Sequence, residues 1–171
     1  MDAKRETEPT PMKNPTTTER TSDRELVVTR TFNASARIVF EAWTRPELFK
    51  RWWVPKSMGM SLRSCEMDVR VGGKYRLEFE PDGMAFFGTY RDVTPPSRLA
   101  WTNEEGGEGG SVTTVTFEEK GGKTLLVLHE LHPSKEATDE AIGFGEGLRE
   151  TFEQLDELLV TLAASSGQKV K

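Results

Sequence analysis

From Met58 to about Leu131 the chain alternates apolar and polar residues with a period of two, and short turns interrupt it. Gly72-Gly73, Pro81-Asp82-Gly83, Pro95-Pro96-Ser97 and Gly121-Gly122 are the tight turns, and Glu104 to Gly110 is a longer glycine-rich connection. Such short links join only antiparallel neighbours, because a parallel crossover takes about a dozen residues or more. The stretch therefore predicts six antiparallel strands in a meander. One of them states its inward face plainly. Tyr75, Leu77 and Phe79 share one side of a strand, and Lys74, Arg76, Glu78 and Glu80 share the other.

Two flanking patterns complete the architecture. Upstream, Leu26 to Phe32 is β-branched and partly alternating, which predicts a first strand. Asn33 or Ser35 can then cap a short helix carrying Ala36, Val39, Phe40 and Trp43 and ending near Thr44. Thr44 stands in a capping-box relation to Glu47, Pro46 suits a first helical turn, and Pro55 ends the second helix. Downstream, Pro133 closes the last strand. Phe144, Leu148, Phe152, Leu155, Leu159 and Leu162 then recur at helical spacing, with Glu146, Arg149, Glu150, Glu153, Asp156 and Glu157 on the other face. One long helix over about 141–162, laid on the sheet, is the expectation. Residues 1–22 are rich in Thr, Pro, Lys and Glu and are expected to form a disordered tail; 23–163 form the domain and 164–171 fray.

Composition narrows the function. A net charge of −5 disfavours nucleic acid, which needs a positive footprint. No stretch approaches the roughly 20 apolar residues that cross a bilayer, and no signal-peptide core opens the chain. Cys65 is the only cysteine, so an internal disulfide is excluded, a buried structural thiol is expected, and the cytoplasm is the expected location. No metal or cofactor motif is present. His129 and His132 differ by an odd number and point to opposite faces of a strand, which leaves too few ligands for a metal. Gly143-Phe144-Gly145-Glu146-Gly147 lacks the spacing of a phosphate loop and carries an acid; its glycines serve close helix packing or a lid. No GxSxG nucleophile elbow occurs.

The strand, helix pair, six strands and long helix describe a helix-grip arrangement. Specific segments carry a resemblance: Thr31 to Ser35, Ala42 to Leu48, Arg51-Trp52-Trp53-Val54-Pro55, Asp68 to Arg76, Gly88 to Leu99 and Arg149 to Asp156. Together they resemble the START-like or SRPBCC superfamily, in its branch similar to the activators of heat-shock chaperone ATPase (AHSA-like). The resemblance implies an α+β, Bet v-like fold: a curved antiparallel sheet of about seven strands wrapped on the C-terminal helix, β-αα-β6-α, with an apolar cavity between them. Two features depart from the family pattern. Arg45 replaces the usual acid before Pro46, leaving the cap to Thr44, and only a tail precedes the domain where co-chaperone members carry another.

The expected function is binding of an apolar or aromatic small molecule, with no cofactor and no assigned reaction. Tandem tryptophans at a helix-to-strand junction either fill a core or wall a pocket. Trp43, Trp53, Tyr75, Phe79, Tyr90, Trp101 and His129 are expected to line a closed cavity of several hundred Å3, in the usual range of ~300 to 1,000. Phe144 and Leu148 are its expected lid, and of the tandem pair Trp53 is expected to point inward. His129 is either an ordinary satisfied histidine or a polar group of the cavity. The first alternative is a protein-interaction module acting on a chaperone ATPase. The second is a cyclase, dehydratase or hydrolase using His129 as acid and base. A homodimer is compatible with the sequence without being read from it.

Overall fold

Strict alternation puts every second side chain of Glu25–Phe32 under cover: Leu26, Val28, Arg30 and Phe32 are buried, and their neighbours are half-exposed. In the computed structural model, which describes residues 15–54, 56–59, 61–80, 85–104, 110–142 and 145–170 (side chains of 58, 145–148 and 163–170 excepted), this strand belongs to one eight-stranded antiparallel sheet. The strands are β1 (Thr17–Ser22), β2 (Glu25–Phe32), β3 (Ser61–Met67), β4 (Lys74–Glu80), β5 (Ala85–Thr94), β6 (Arg98–Thr102), β7 (Val112–Lys120) and β8 (Lys123–Leu131). Their order across the sheet is β1-β2-β8-β7-β6-β5-β4-β3. The six strands expected after the helices are all present, and β4 buries Tyr75, Leu77 and Phe79 as its alternation requires.

Turn chemistry sets the registers. Gly121 and Gly122 have φ of +60° and +82°, the pair of positive values that a two-residue hairpin between Lys120 and Lys123 requires. Gly88 serves a different purpose. It lies opposite Tyr75, and a Cβ there would sit 1.8 Å from the Thr102 carbonyl oxygen and 2.9 Å from the Tyr75 ring. Only hydrogen lets the end of β6 pass this close. A bulge at Arg91, between the pairs Tyr90–Trp101 and Asp92–Ala100, bends β5 in the same region.

Helices α1 (Ala36–Thr44) and α2 (Pro46–Phe49) follow β2, and α3 (Lys135–Ile142) and α4 (Gly145–Val170) follow β8. Ser35 caps α1 by accepting from the Ile38 amide. The expected Thr44 cap is not made: the Thr44 hydroxyl donates to the Phe40 carbonyl one turn back, and Arg45 precedes α2 without a side-chain cap. Phe152, Leu155, Leu158 and Leu159 bury the face of α4, and Phe32 meets Phe152 edge-on at 5.6 Å. The buried Arg30 guanidinium reaches α4 through Asp156 at 2.8 Å.

Three boundaries differ from the sequence reading. Thr17–Ser22, assigned to a disordered tail, form β1, an edge strand that buries none of its side chains and is held by its backbone pairing with β2. Composition reports burial, so a strand without burial is silent in it. Helix α3, with only Thr138 buried, was missed for the same reason. Helix α4 runs to Val170, beyond Leu162 and into the segment expected to fray. Residues 1–14 and Pro55 lie outside the described residues.

Candidate functional site

Helix α1 delivers Trp43 to the centre of the molecule, because Ala36, Val39, Phe40 and Trp43 share its buried face. Around Trp43 stand the rings of Trp52 at 4.9 Å, Trp101 at 5.8 Å, Trp53 at 5.9 Å, Phe117 at 6.2 Å, Phe49 at 6.3 Å and Phe152 at 6.4 Å. All four tryptophans of the chain thus belong to one cluster. The inward member of the tandem pair is Trp52, fully buried, with its indole N–H on the Ala42 carbonyl at 3.0 Å. Trp53 is half-buried and stacks on Phe49 at 4.8 Å, with 26° between the ring planes.

A polar clasp fixes this segment. Gln154 on α4 accepts from the Lys56 amide at 2.8 Å and donates to the Trp52 and Val54 carbonyls, both at 2.9 Å. The Thr151 hydroxyl donates to the Trp53 carbonyl at 3.2 Å. Glu150 accepts from the Ser57 hydroxyl and amide, and those bonds hold its carboxyl below the usual carboxylate range. The long helix thereby sets where Trp53 stands.

Beside the cluster is a cleft lined by Trp43, Phe49, Trp53, Met67, Tyr75, Leu77, Phe86, Tyr90, Trp101 and Asn103. Its empty space, mouth included, is about 420 Å3, of which about 40 Å3 is deep enough to hold a water centre. That inner part is far below the ~300 to 1,000 Å3 of ordinary ligand sites. The expected closed cavity of several hundred Å3 is thus corrected to an open-mouthed cleft. Bulky rings occupy the interior that smaller residues would leave empty.

Among the described residues, the cleft wall carries no charged side chain. Its amide is already engaged: Asn103 donates to the Ser111 hydroxyl at 2.9 Å and the Thr113 hydroxyl at 3.0 Å, while its Oδ1 stands 3.1 Å from the Tyr75 hydroxyl. The Tyr75 hydroxyl also reaches the Thr102 carbonyl at 2.9 Å. Burial pushes the Tyr90 hydroxyl above its ordinary pKa, and nearby Cys65 and Asp68 add to the shift. Burial likewise pushes the Cys65 thiol up to about 11. Next to Asn103, the Glu104 carboxyl accepts from the Thr102 and Thr89 hydroxyls, which hold it below the usual range.

The cleft brings together Trp43, Trp53, Tyr75, Tyr90 and Trp101 of the expected lining. Phe79 is buried in the core, 5.1 Å from Phe86, and is not part of the wall. His129 is on the wrong face: Leu126 and Leu128 point inward from β8, so His129, an odd step away, points outward and meets Glu25 at 3.0 Å. His132 is buried beyond the strand end and meets Glu130 at 3.2 Å. Phe144 and the Leu148 side chain lie outside the described residues. Phe49, Met67, Leu77, Phe86 and Asn103 were missed. Leu77 and Phe86 share parity with Tyr75 and Tyr90 and were legible on that count; Met67 and Asn103 gave no signal. Among the described residues, no group of His, Cys, Asp and Glu is arranged to hold a metal ion, and no helix is long and apolar enough to cross a membrane.

A curved antiparallel sheet closed by a C-terminal helix defines the helix-grip class of α+β proteins, and solved structures share it. One from Rhodobacter sphaeroides is 22% identical, with 86% of this chain and 99% of that chain covered and a TM-score of 0.78. A Nitrosomonas europaea protein is 27% identical over 84% of this chain and 98% of its own, with a TM-score of 0.72. A Staphylococcus epidermidis protein is 28% identical, covers 85% and 94%, and also scores 0.72. No curated protein matches the chain. Residues 33–160 match the model of the family described as activator of Hsp90 ATPase homolog 1-like protein, and the chain belongs to that family. It is an AHSA-like SRPBCC domain.

Proposed function

We propose that the protein binds an uncharged apolar or aromatic small molecule in the cleft beside Trp43. The observation that carries this reading is a wall of aromatic and aliphatic side chains with, among the described residues, no charge and few polar groups. A charged ligand would lose its hydration there without gaining a counter-ion. The inner space is small, so a ligand occupies the mouth as well, and half-buried Trp53 and Met67 are the side chains that give way. Three of the four tryptophans line the cleft and the fourth, Trp52, packs on Trp43, which makes intrinsic fluorescence a direct reporter. Titration with N-phenyl-1-naphthylamine is expected to give saturable energy transfer at one probe per chain. Absence of saturation over the probe's solubility range would overturn the reading.

The family description favours a second reading, stimulation of a chaperone ATPase by this domain. It needs a complementary outer surface more than a cleft. An unchanged ATPase rate of the Hsp90-type chaperone from the same organism on adding the full chain would remove it. A catalytic role for His129 is not proposed, since that side chain faces away from the cleft.

A further inference from the structure

Hydrogen-bond accounting on the cleft wall leaves two donors unspent. The amide of Asn103 is engaged at both ends, by Ser111 and Thr113 at Nδ2 and by Tyr75 at Oδ1. The Tyr75 proton has the Thr102 carbonyl or Asn103 to serve. Trp53 and Trp101 are only half-buried, so water can satisfy their indole N–H groups. Tyr90 and Trp43 differ. Each is buried, at 4% and 2% exposure, and each lines the cleft. The Trp43 indole nitrogen is buried without a hydrogen-bond partner among the described residues; the Tyr90 hydroxyl also makes no hydrogen bond there, and its oxygen keeps a little solvent access at the cleft. Left unpaired, the buried Trp43 donor costs about 1–3 kcal/mol, whereas the Tyr90 hydroxyl is open to the cleft and can exchange water for a bound acceptor.

We infer that the ligand is an uncharged aromatic compound carrying a carbonyl-type oxygen, which accepts a hydrogen bond from the Tyr90 hydroxyl. The inference rests on the cleft being the binding site and adds the chemistry that selects among its ligands. The acceptor follows from the wall, whose unspent groups both donate and one of which, the indole, can only donate. Neutrality follows from the absence of any cation among the described residues of the wall and from Asp68, whose negative charge acts on Tyr90. The aromatic part follows from the rings that surround the oxygen's place: Tyr75 is 5.8 Å from Tyr90, and Trp101 is its cross-strand partner. Tyr90 is thus a specificity-determining residue, because its bond distinguishes ligands of equal shape.

Acetophenone and α-methylstyrene test this, since they differ only in C=O against C=CH2. Both are titrated into the full chain while the four indole N–H signals are followed by proton–nitrogen NMR. The wild-type chain is expected to bind the ketone at least as tightly as the alkene, despite the ketone's stronger hydration, with the Trp43 signal shifting. Tyr90→Phe is expected to weaken the ketone about fivefold, the effect of one ordinary hydrogen bond, and to leave the alkene within about twofold. A wild-type preference for the alkene, or a Tyr90→Phe variant with unchanged selectivity, overturns the assignment of Tyr90 and leaves the cleft as a binding site. Failure of both probes to bind wild type overturns the cleft reading and this one together. Should Tyr90→Phe unfold, which the same spectra report, the wild-type ratio decides alone.

Discussion

Gly88→Ala is the substitution that most directly tests how the cleft is built. The new Cβ would lie 1.8 Å from the Thr102 carbonyl oxygen, 2.8 Å from the carbonyl carbon and 2.9 Å from Cε2 of Tyr75. Two of these atoms are backbone, so no side-chain rotation relieves the contact, and the end of β6 must move by over ~1 Å to reach ordinary van der Waals separation. Overpacking of this sort costs about 1–3 kcal/mol. Displacing Thr102 also breaks its bond from the Tyr75 hydroxyl, about 1 kcal/mol more. The stiffer unfolded chain returns about 0.4–1 kcal/mol. The balance is a loss of about 1–3.6 kcal/mol, which for a chain of this length lowers Tm by about 2–14 °C. Urea and thermal unfolding of the full chain measure it. Gly72→Ala is the control: its φ is +86° and nothing stands within 4 Å, so it suffers only left-handed strain of about 1–2 kcal/mol. If Gly88→Ala proves no more damaging than Gly72→Ala, the steric argument fails. Gly88→Ala should also weaken N-phenyl-1-naphthylamine binding, since Tyr75 is cleft wall, whereas Gly72→Ala should not.

Two further outcomes follow from buried polar groups. Asp156→Ala leaves the Arg30 guanidinium, 1% exposed, without its carboxylate and should cost about 3 kcal/mol; combining it with Arg30→Met should recover most of that, and a single-variant loss below about 1 kcal/mol would refute the pairing's importance. Cys65, pushed up to about 11 from 9.0, keeps its proton through neutral pH, so iodoacetamide at pH 8 should modify the folded chain about 10- to 100-fold more slowly than the urea-unfolded chain. The sign for stability is the same: between about pH 9 and 11 the unfolded thiol ionises and the folded one does not, so stability falls as pH rises through that window. Equal alkylation rates in the folded and unfolded chain would remove this prediction.

Helical and strand periodicity carried much of the fold because each is a record of burial. Lys74 to Glu80 shows the clean case: charges on alternate residues leave one face for Tyr75, Leu77 and Phe79, and the structure buries all three. Leu125 to Leu128 shows the opposite case. Four apolar residues in a row leave the inward parity unstated, so the sequence leaves His129 open between a cavity group and an ordinary satisfied histidine, and the structure turns it outward to Glu25. Strand β1 and helix α3 bury almost nothing and left no pattern to read.

From local patterning alone, the chain determined the order of its elements from β2 to β8, the antiparallel sense of its sheet, and the apolar stripe of its last helix. Each depends on residues a few positions apart. Tertiary structure alone decided that Trp52 fills the core while Trp53 lines the cleft, that Met67 and Asn103 join it, and that the Tyr90 hydroxyl and the Trp43 indole have no hydrogen-bond partner among the described residues. Those outcomes depend on strand register, the bulge at Arg91 and the grip of Gln154 on the tryptophan segment. All of them bring together residues distant in the chain, and no period within one element encodes them.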